Sequence, residues 1–438
     1  MKNTFAELLT EIISQSEISK NEMIRTCDID RSSFFKFLSG QRIPTMEQFN
    51  RICEKLQFSP SEEKSLRLEY AKITQGEQKI RSGNRIIELL WKLEDSNNIE
   101  MLWKDYDAER RETEKTSELT ESVIQGKRKV LELLKSTVLN EALLDGNMVE
   151  IDMFIPQRTE EFLEWLVGFL RSDLSSRVRI RHLIELPSRS INTEQILLER
   201  LRFSLLSTAE NSKAYSGYYY YAYNSISSCV GVLYAYSLIT DHRVVLLNEK
   251  MDKAIAVADS DFCRDYRDYF MATLNSAKPI IKKVKEQDID KELNKPLLYR
   301  YGGQIILENP KSEGTVLFIS TGCVRRFAET GSFSEKNDLK TIGTKERVEY
   351  LNKAKKKIGS KVFLIDERSI PPAGSWIIAL SGKDKLIMHR KDADCFFIVT
   401  EPSIVEAFYT FMEDLPNSGN LIKTELAHEI FDNILAGI

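Results

Sequence analysis

Two stretches of this chain close in the same way, 141 residues apart. In the first, VLYAYSLIT, HRVVLLN and KAIAVAD are followed by DFCRDYRDYFMATL; in the second, SWIIALS, KLIMH and CFFIV are followed by SIVEAFYTFMEDL. Short β-branched and aromatic runs between turn residues predict strands, and apolar residues three and four apart predict a helix. Leu274 and Leu415, Leu247 and Met388, and Phe270-Met271 and Phe411-Met412 all keep the 141-residue spacing. A four-element ending used twice in register predicts an internal duplication, and hence two α/β modules packed face to face with a cleft between them.

Earlier segments fit that reading. MVEIDMFIP, EEFLEWLVGFLRS, RVRIRHLIEL and TEQILLERLRFSLLS alternate strand and helix before GYYYYAY, and TVLFIS, KERVEYLNKAKKKI and KVFLIDE do so before the second ending. The modules are expected over 147–285 and 296–420, with a closing helix over 421–438. On a strand, Tyr219, Tyr221 and Tyr223 share one face and Tyr218 and Tyr220 the other. The first set is a candidate ligand-pocket lining, because a tyrosine offers an apolar body and a hydrogen-bonding tip. The alternative is a sheet buried between two layers with phenols at its rim.

Residues 76–146 read as a helical linker. Ile86 to Leu93 and Val130 to Leu143 are dense apolar runs that either pair two subunits or pack on the next module. DAERRETEKTSELTE, between them, has no apolar stripe.

Residues 1–75 read as short helices. Ser19-Lys20-Asn21-Glu22 has the capping-box pattern. Asp30 can cap a helix starting at Arg31, on which Phe34, Phe37 and Leu38 share one face. Arg31, Ser32, Phe35 and Lys36 then point away from that face, as side chains that can bond base edges or cover a thymine methyl, and Ser33 sits at the boundary. Cys27-Asp28-Ile29 is the joining turn, with Asp28 expected in the left-handed conformation that Asp tolerates.

Here a resemblance becomes specific. Residues 4–72 are similar to the Xre family, the Cro and lambda-repressor type of helix-turn-helix domain. The likeness rests on Ser19-x-x-Glu22, on Ile29-Asp30-Arg31-Ser32-Ser33-Phe34, on Gly40 with Pro44, and on the helix from Met46. Asp28 stands where that family usually has glycine. The resemblance implies that Arg31, Ser32 and Lys36 read bases and that Ser19, Lys20, Arg42 and Thr45 grip phosphates, with double-stranded DNA bound by a homodimer. The C-terminal part resembles half-modules of the phospholipase-D-like fold, which implies a sensor. That family's paired catalytic H-x-K is missing, since His242 precedes Arg243-Val244 and His389 precedes Arg390-Lys391.

Net charge is −4, so contact with nucleic acid must come from a local patch. The six cysteines form no C-x-x-C pair, which predicts free thiols in a reducing cytosol. No run approaches the roughly 20 apolar residues that span a bilayer. The four histidines match no metal-ligand spacing, so neither a metal nor a cofactor is expected. The sequence thus predicts a multidomain α and α/β protein: a cytoplasmic, dimeric, DNA-binding transcription regulator that is not an enzyme and senses an unknown small molecule or peptide. The alternatives are a nuclease or phosphodiesterase localised by its helix-turn-helix, and a regulator controlled by a protein or peptide partner.

Overall fold

The first helices enclose their own aromatic centre. In the computed structural model, which describes residues 4–15, 19–55, 60–75, 77–94, 122–144, 148–156, 159–187, 193–210, 213–222, 234–289, 291, 305–309, 314–331, 343–371, 376–381, 384–390 and 395–438, the head comprises α1 (Thr4–Gln15), α2 (Lys20–Cys27), α3 (Arg31–Leu38), α4 (Met46–Lys55) and α5 (Pro60–Gln75). Phe5, Leu9, Met23, Phe34, Phe37, Phe49 and Tyr70 form one buried cluster there. Phe49 stacks on Tyr70 with centroids 4.1 Å apart, and the Tyr70 hydroxyl donates to the Pro44 carbonyl at 2.9 Å.

The next elements are α6 (Glu77–Glu94), β1 (Ser122–Gln125) and α7 (Lys127–Leu143). Both apolar runs of this stretch enter the core of the α/β region: Ile86, Leu89, Leu90 and Leu93 from α6, and Val130, Leu131, Leu134 and Val138 from α7. The polar segment DAERRETEKTSELTE lies outside the described residues.

The first module adds β2 (Val149–Phe154), α8 (Glu160–Leu170), β3 (Val178–Pro187), α9 (Thr193–Glu210), β4 (Tyr215–Ala222), β5 (Tyr236–Ile239), β6 (Val244–Leu247), β7 (Lys253–Val257), α10 (Ser260–Leu274) and β8 (Lys278–Pro279). Its sheet runs β1-β7-β6-β5-β2-β3-β4-β8. The second follows with β9 (Lys282–Lys285), β10 (Ile305–Asn309), β11 (Gly314–Ser320), α11 (Thr321–Thr330), α12 (Thr344–Lys355), β12 (Val362–Ile365), β13 (Trp376–Ser381), β14 (Lys385–Arg390), β15 (Cys395–Val399), α13 (Pro402–Asp414) and α14 (Thr424–Ala436), and its sheet runs β12-β11-β10-β13-β14-β15-β9. Cys27, Cys53, Cys263, Cys323 and Cys395 are buried and form no disulfide among the described residues; Cys229 lies outside the described residues.

The two sheets correspond strand for strand from β5-β6-β7 to β13-β14-β15, and each carries an extra antiparallel edge strand, β1 on β7 and β9 on β15. They part company at their centres. β2 is antiparallel to β5, whereas β10, in the same place, is parallel to β13.

Their closing helices also go to opposite sides. Leu247 and Met388, 141 residues apart, both face the central core. α13 packs on that central side, against β13 and β14. α10 packs on the far face of its own sheet, against Phe154, Leu183, Ile239 and Val244. The sequences explain the split. DFCRDYRDYFMATL buries only Cys263 and Phe270, a narrow stripe suited to a surface helix. PSIVEAFYTFMED buries Ile404, Val405, Ala407, Phe408, Tyr409, Phe411 and Met412, more than one face can hold, so it belongs between layers.

The expected cleft between the modules is therefore filled. α6, α9 and α13 pack on one another there. A single hydrophobic cluster runs from Ile151 and Ile180 of the first sheet to Ile378 and Met388 of the second.

Candidate nucleic-acid interface

The side chains marked out near the N-terminus are placed by caps and by one turn. The Ser19 hydroxyl accepts from the Glu22 amide at 3.3 Å, which starts α2 at Lys20. Asp28 ends it in the left-handed conformation, φ 50° and ψ 51°, with its amide returned to the Arg25 and Ile24 carbonyls. Asp30 then caps α3, its carboxylate accepting from the Ser33 amide at 2.8 Å. Phe34 and Phe37 are fully buried in the head core, and Leu38 is half-buried against it. Burying each phenylalanine contributes about 1.5–3 kcal/mol, which fixes the rotation of the helix.

That rotation decides what faces outward. Arg31, Ser32, Phe35 and Lys36 are exposed, and Ser33 is half-buried. The Arg31 guanidinium lies 5.9 Å from the centroid of the Phe35 ring, so the apolar ring and the cation share one surface patch. Arg42 donates to the Ser33 hydroxyl at 3.3 Å, and its backbone amide donates to the Lys36 carbonyl at 3.2 Å. The loop after α3 is thereby tied back onto it, with Gly40 turning the chain at φ 71°. Thr45 and Gln48 form a reciprocal capping box: the Gln48 amide donates to the Thr45 hydroxyl and the Thr45 amide to the Gln48 side chain. Ser19, Lys20, Arg42 and Thr45 are all exposed. Lys20, Arg31, Lys36 and Arg42 are thus four exposed cations of the head, groups of the kind that meet an anionic polymer.

The sequence reading missed two ties that hold this face. One is Arg42 on Ser33. The other is Arg51, which reaches from α4 to the Asp28 carbonyl at 3.3 Å. The T-x-x-Q signal at Thr45 was available in the sequence; the Arg51 reach was not, because it depends on how α4 crosses the turn.

The tyrosine strand is used differently on its two faces. Tyr219 is buried in the central core. Tyr221 crosses to the second module and donates its hydroxyl to Glu401, whose other carboxylate oxygen caps α13 through the Ile404 amide at 2.8 Å. Burial first, then the Glu401 carboxylate, hold the Tyr221 phenol above its ordinary pKa. Tyr223 lies outside the described residues. On the opposite face, Tyr220 donates to Glu185 at 3.0 Å.

Among the described residues, no group of three or more His, Cys, Asp or Glu side chains is placed to hold a metal ion, and no helix is long and apolar enough to cross a membrane. No protein-family model and no curated protein matches the chain. Among solved structures it is similar to TrmBL2, an archaeal chromatin protein whose structure shows a novel mode of DNA binding. The identity is 11%, over 64% of this chain and 99% of that one, with a TM-score of 0.27. At that score the likeness does not define a shared fold.

Proposed function

We propose that this protein is a sequence-specific DNA-binding transcription regulator of the Xre type rather than an enzyme, acting as a homodimer in the cytoplasm. Its α/β modules sense a small molecule or peptide. One observation carries the reading: α3 is rotated by Phe34 and Phe37 so that Arg31, Ser32 and Lys36 stand on its exposed side, behind a left-handed Asp28 turn. In this reading α3 enters the major groove, and Arg31, Ser32 and Lys36 meet base edges while Phe35 covers a thymine methyl. Ser19, Lys20, Arg42 and Thr45 meet phosphates, and the Arg42 tie to Ser33 holds the loop in reach. A dimer would meet half-sites about 34 Å apart.

The test is a gel-shift titration on a selected operator and on scrambled DNA, at several salt concentrations. Lys36→Ala is expected to lose about 1–3 kcal/mol on the operator and relax discrimination at one position. Lys20→Ala is expected to weaken all sequences alike and to lower the salt slope by about 1. Binding that is indifferent to both changes would overturn the reading.

A further inference from the structure

Phe5, Phe34, Phe37 and Phe49 of the head are buried, whereas Phe35 stands 41% exposed on α3. It lies one helical turn beyond Arg31, so the two side chains share a face. The Arg31 guanidinium stands over the Phe35 ring, 5.9 Å from its centroid. From beneath, the buried Phe34 ring meets Phe35 edge-on, with centroids 6.5 Å apart and planes at 88°. A flat cation and an apolar ring are thus held together on the outside of a helix whose rotation the core fixes.

The major groove offers a matching pair of groups. Arginine donates two bonds to O6 and N7 of guanine, and an apolar side chain packs on the C5-methyl of thymine. Adjacent base pairs lie about 3.4 Å apart along the duplex, and a methyl contact is about 3.5–4 Å. Groups centred 5.9 Å apart can therefore serve neighbouring pairs. The attraction of a cation for the face of a ring keeps the guanidinium in place beside it. 5-Methylcytosine carries its methyl at the same ring position as thymine, whereas uracil and cytosine carry none. A phenylalanine makes no hydrogen bond to a base edge, so its ring registers the methyl and not the amino or carbonyl group next to it.

We propose that Arg31 and Phe35 form one reader of a guanine flanked by a 5-methylpyrimidine, with thymine and 5-methylcytosine serving alike and uracil and cytosine binding more weakly. The proposal rests on the reading above in which α3 enters the major groove, and it adds that the head responds to cytosine methylation. Arg31 takes guanine O6 and N7, and the Phe35 ring takes the methyl of the neighbouring pair.

Duplexes that bind the full chain, selected from a random pool, provide the test. The guanine read by Arg31 is the position at which Arg31→Ala loses discrimination. At the flanking pair, gel-shift titrations compare thymine, uracil, 5-methylcytosine and cytosine. The wild type should bind the uracil form about fourfold more weakly than the thymine form, and the cytosine form about fourfold more weakly than the 5-methylcytosine form, as expected for one methyl removed from water. Phe35→Ala should bind the two members of each pair alike. 7-Deazaguanine at the guanine position should weaken the wild type and not Arg31→Ala. Near-ultraviolet circular dichroism checks that both variants are folded. A wild type that binds its selected duplexes equally with thymine and uracil would overturn this proposal and leave the regulator reading standing. So would a Phe35→Ala chain that keeps the methyl preference, or an Arg31→Ala chain that discriminates as the wild type does. A wild type with no preference for any duplex would overturn both.

Discussion

His182 shows what a single side chain contributes in this molecule. It is fully buried on β3, its Nδ1 lies 2.9 Å from the Tyr215 hydroxyl, and the Phe203 ring stands edge-on at 6.1 Å. Burial first, and then the charge of the buried Arg200, hold its pKa well below the ordinary histidine value. The folded state therefore refuses a proton that the unfolded chain accepts near pH 6.5. Stability from this residue is complete above about pH 6.5 and is lost as the pH falls from there toward the folded value, by at most about 1.4 kcal/mol per pH unit. Urea midpoints measured from pH 7.5 to 5 should fall more steeply for the wild type than for His182→Gln. Parallel slopes would show that the ring is not kept neutral. The sequence marked His182 as one of four histidines without a partner pattern; its role appears only when β3 and β4 lie side by side.

At the scale of elements, the turn between α2 and α3 sets the geometry of the head. A β-branched residue in the left-handed region costs about 1–2 kcal/mol, so Asp28→Val should lower the stability of the protein by that amount. Asp28→Gly should stay within about 0.5 kcal/mol, since glycine accepts that backbone but adds entropy to the unfolded chain. The Asp28–Arg51 pair at 3.6 Å adds little, because the Asp28 side chain is 98% exposed. Thermal or urea unfolding of the two variants checks the ranking. This turn was legible because its signals are local: Ser19, Asp28, Asp30 and Gly40 act within a few residues of themselves. The strands and helices of the modules were legible for the same reason. The direction of β10 and the side taken by α13 were not, because both are settled by what packs on the sheets. A cleft on the outer face of the first sheet is lined by Phe154, Tyr220, Tyr236 and Tyr269, which no window of the sequence brings together. The strand pattern singled out Tyr219 and Tyr221 instead, and those two serve the core and the Glu401 bridge.

For the whole molecule, the head meets the second module at a defined point. Gly419, at φ 74°, lies so close to α5 that a Cβ there would sit 2.9 Å from Arg67 Cδ. Arg67 in turn lies over the Phe49 ring at 5.6 Å and donates to Asn50 at 3.1 Å. Gly419→Ala both strains the turn and pushes on the side chain that braces α4. It should cost about 1–2 kcal/mol of stability and shift affinity in the gel-shift titration, although Gly419 is on a different module from the face proposed to meet DNA. Unchanged affinity in a folded variant would mean that the head ignores its neighbour.

Helix α6 begins at Glu77, two residues after α5 ends at Gln75, and its Leu89, Leu90 and Leu93 are gripped between α9 and α13. Packed interiors resist compression and move as stiff bodies. The two sheets thus act as the jaws of a vice on one end of a shaft whose other end adjoins the head, so that in the regulator reading proposed above a ligand altering their grip would act on the head through the shaft.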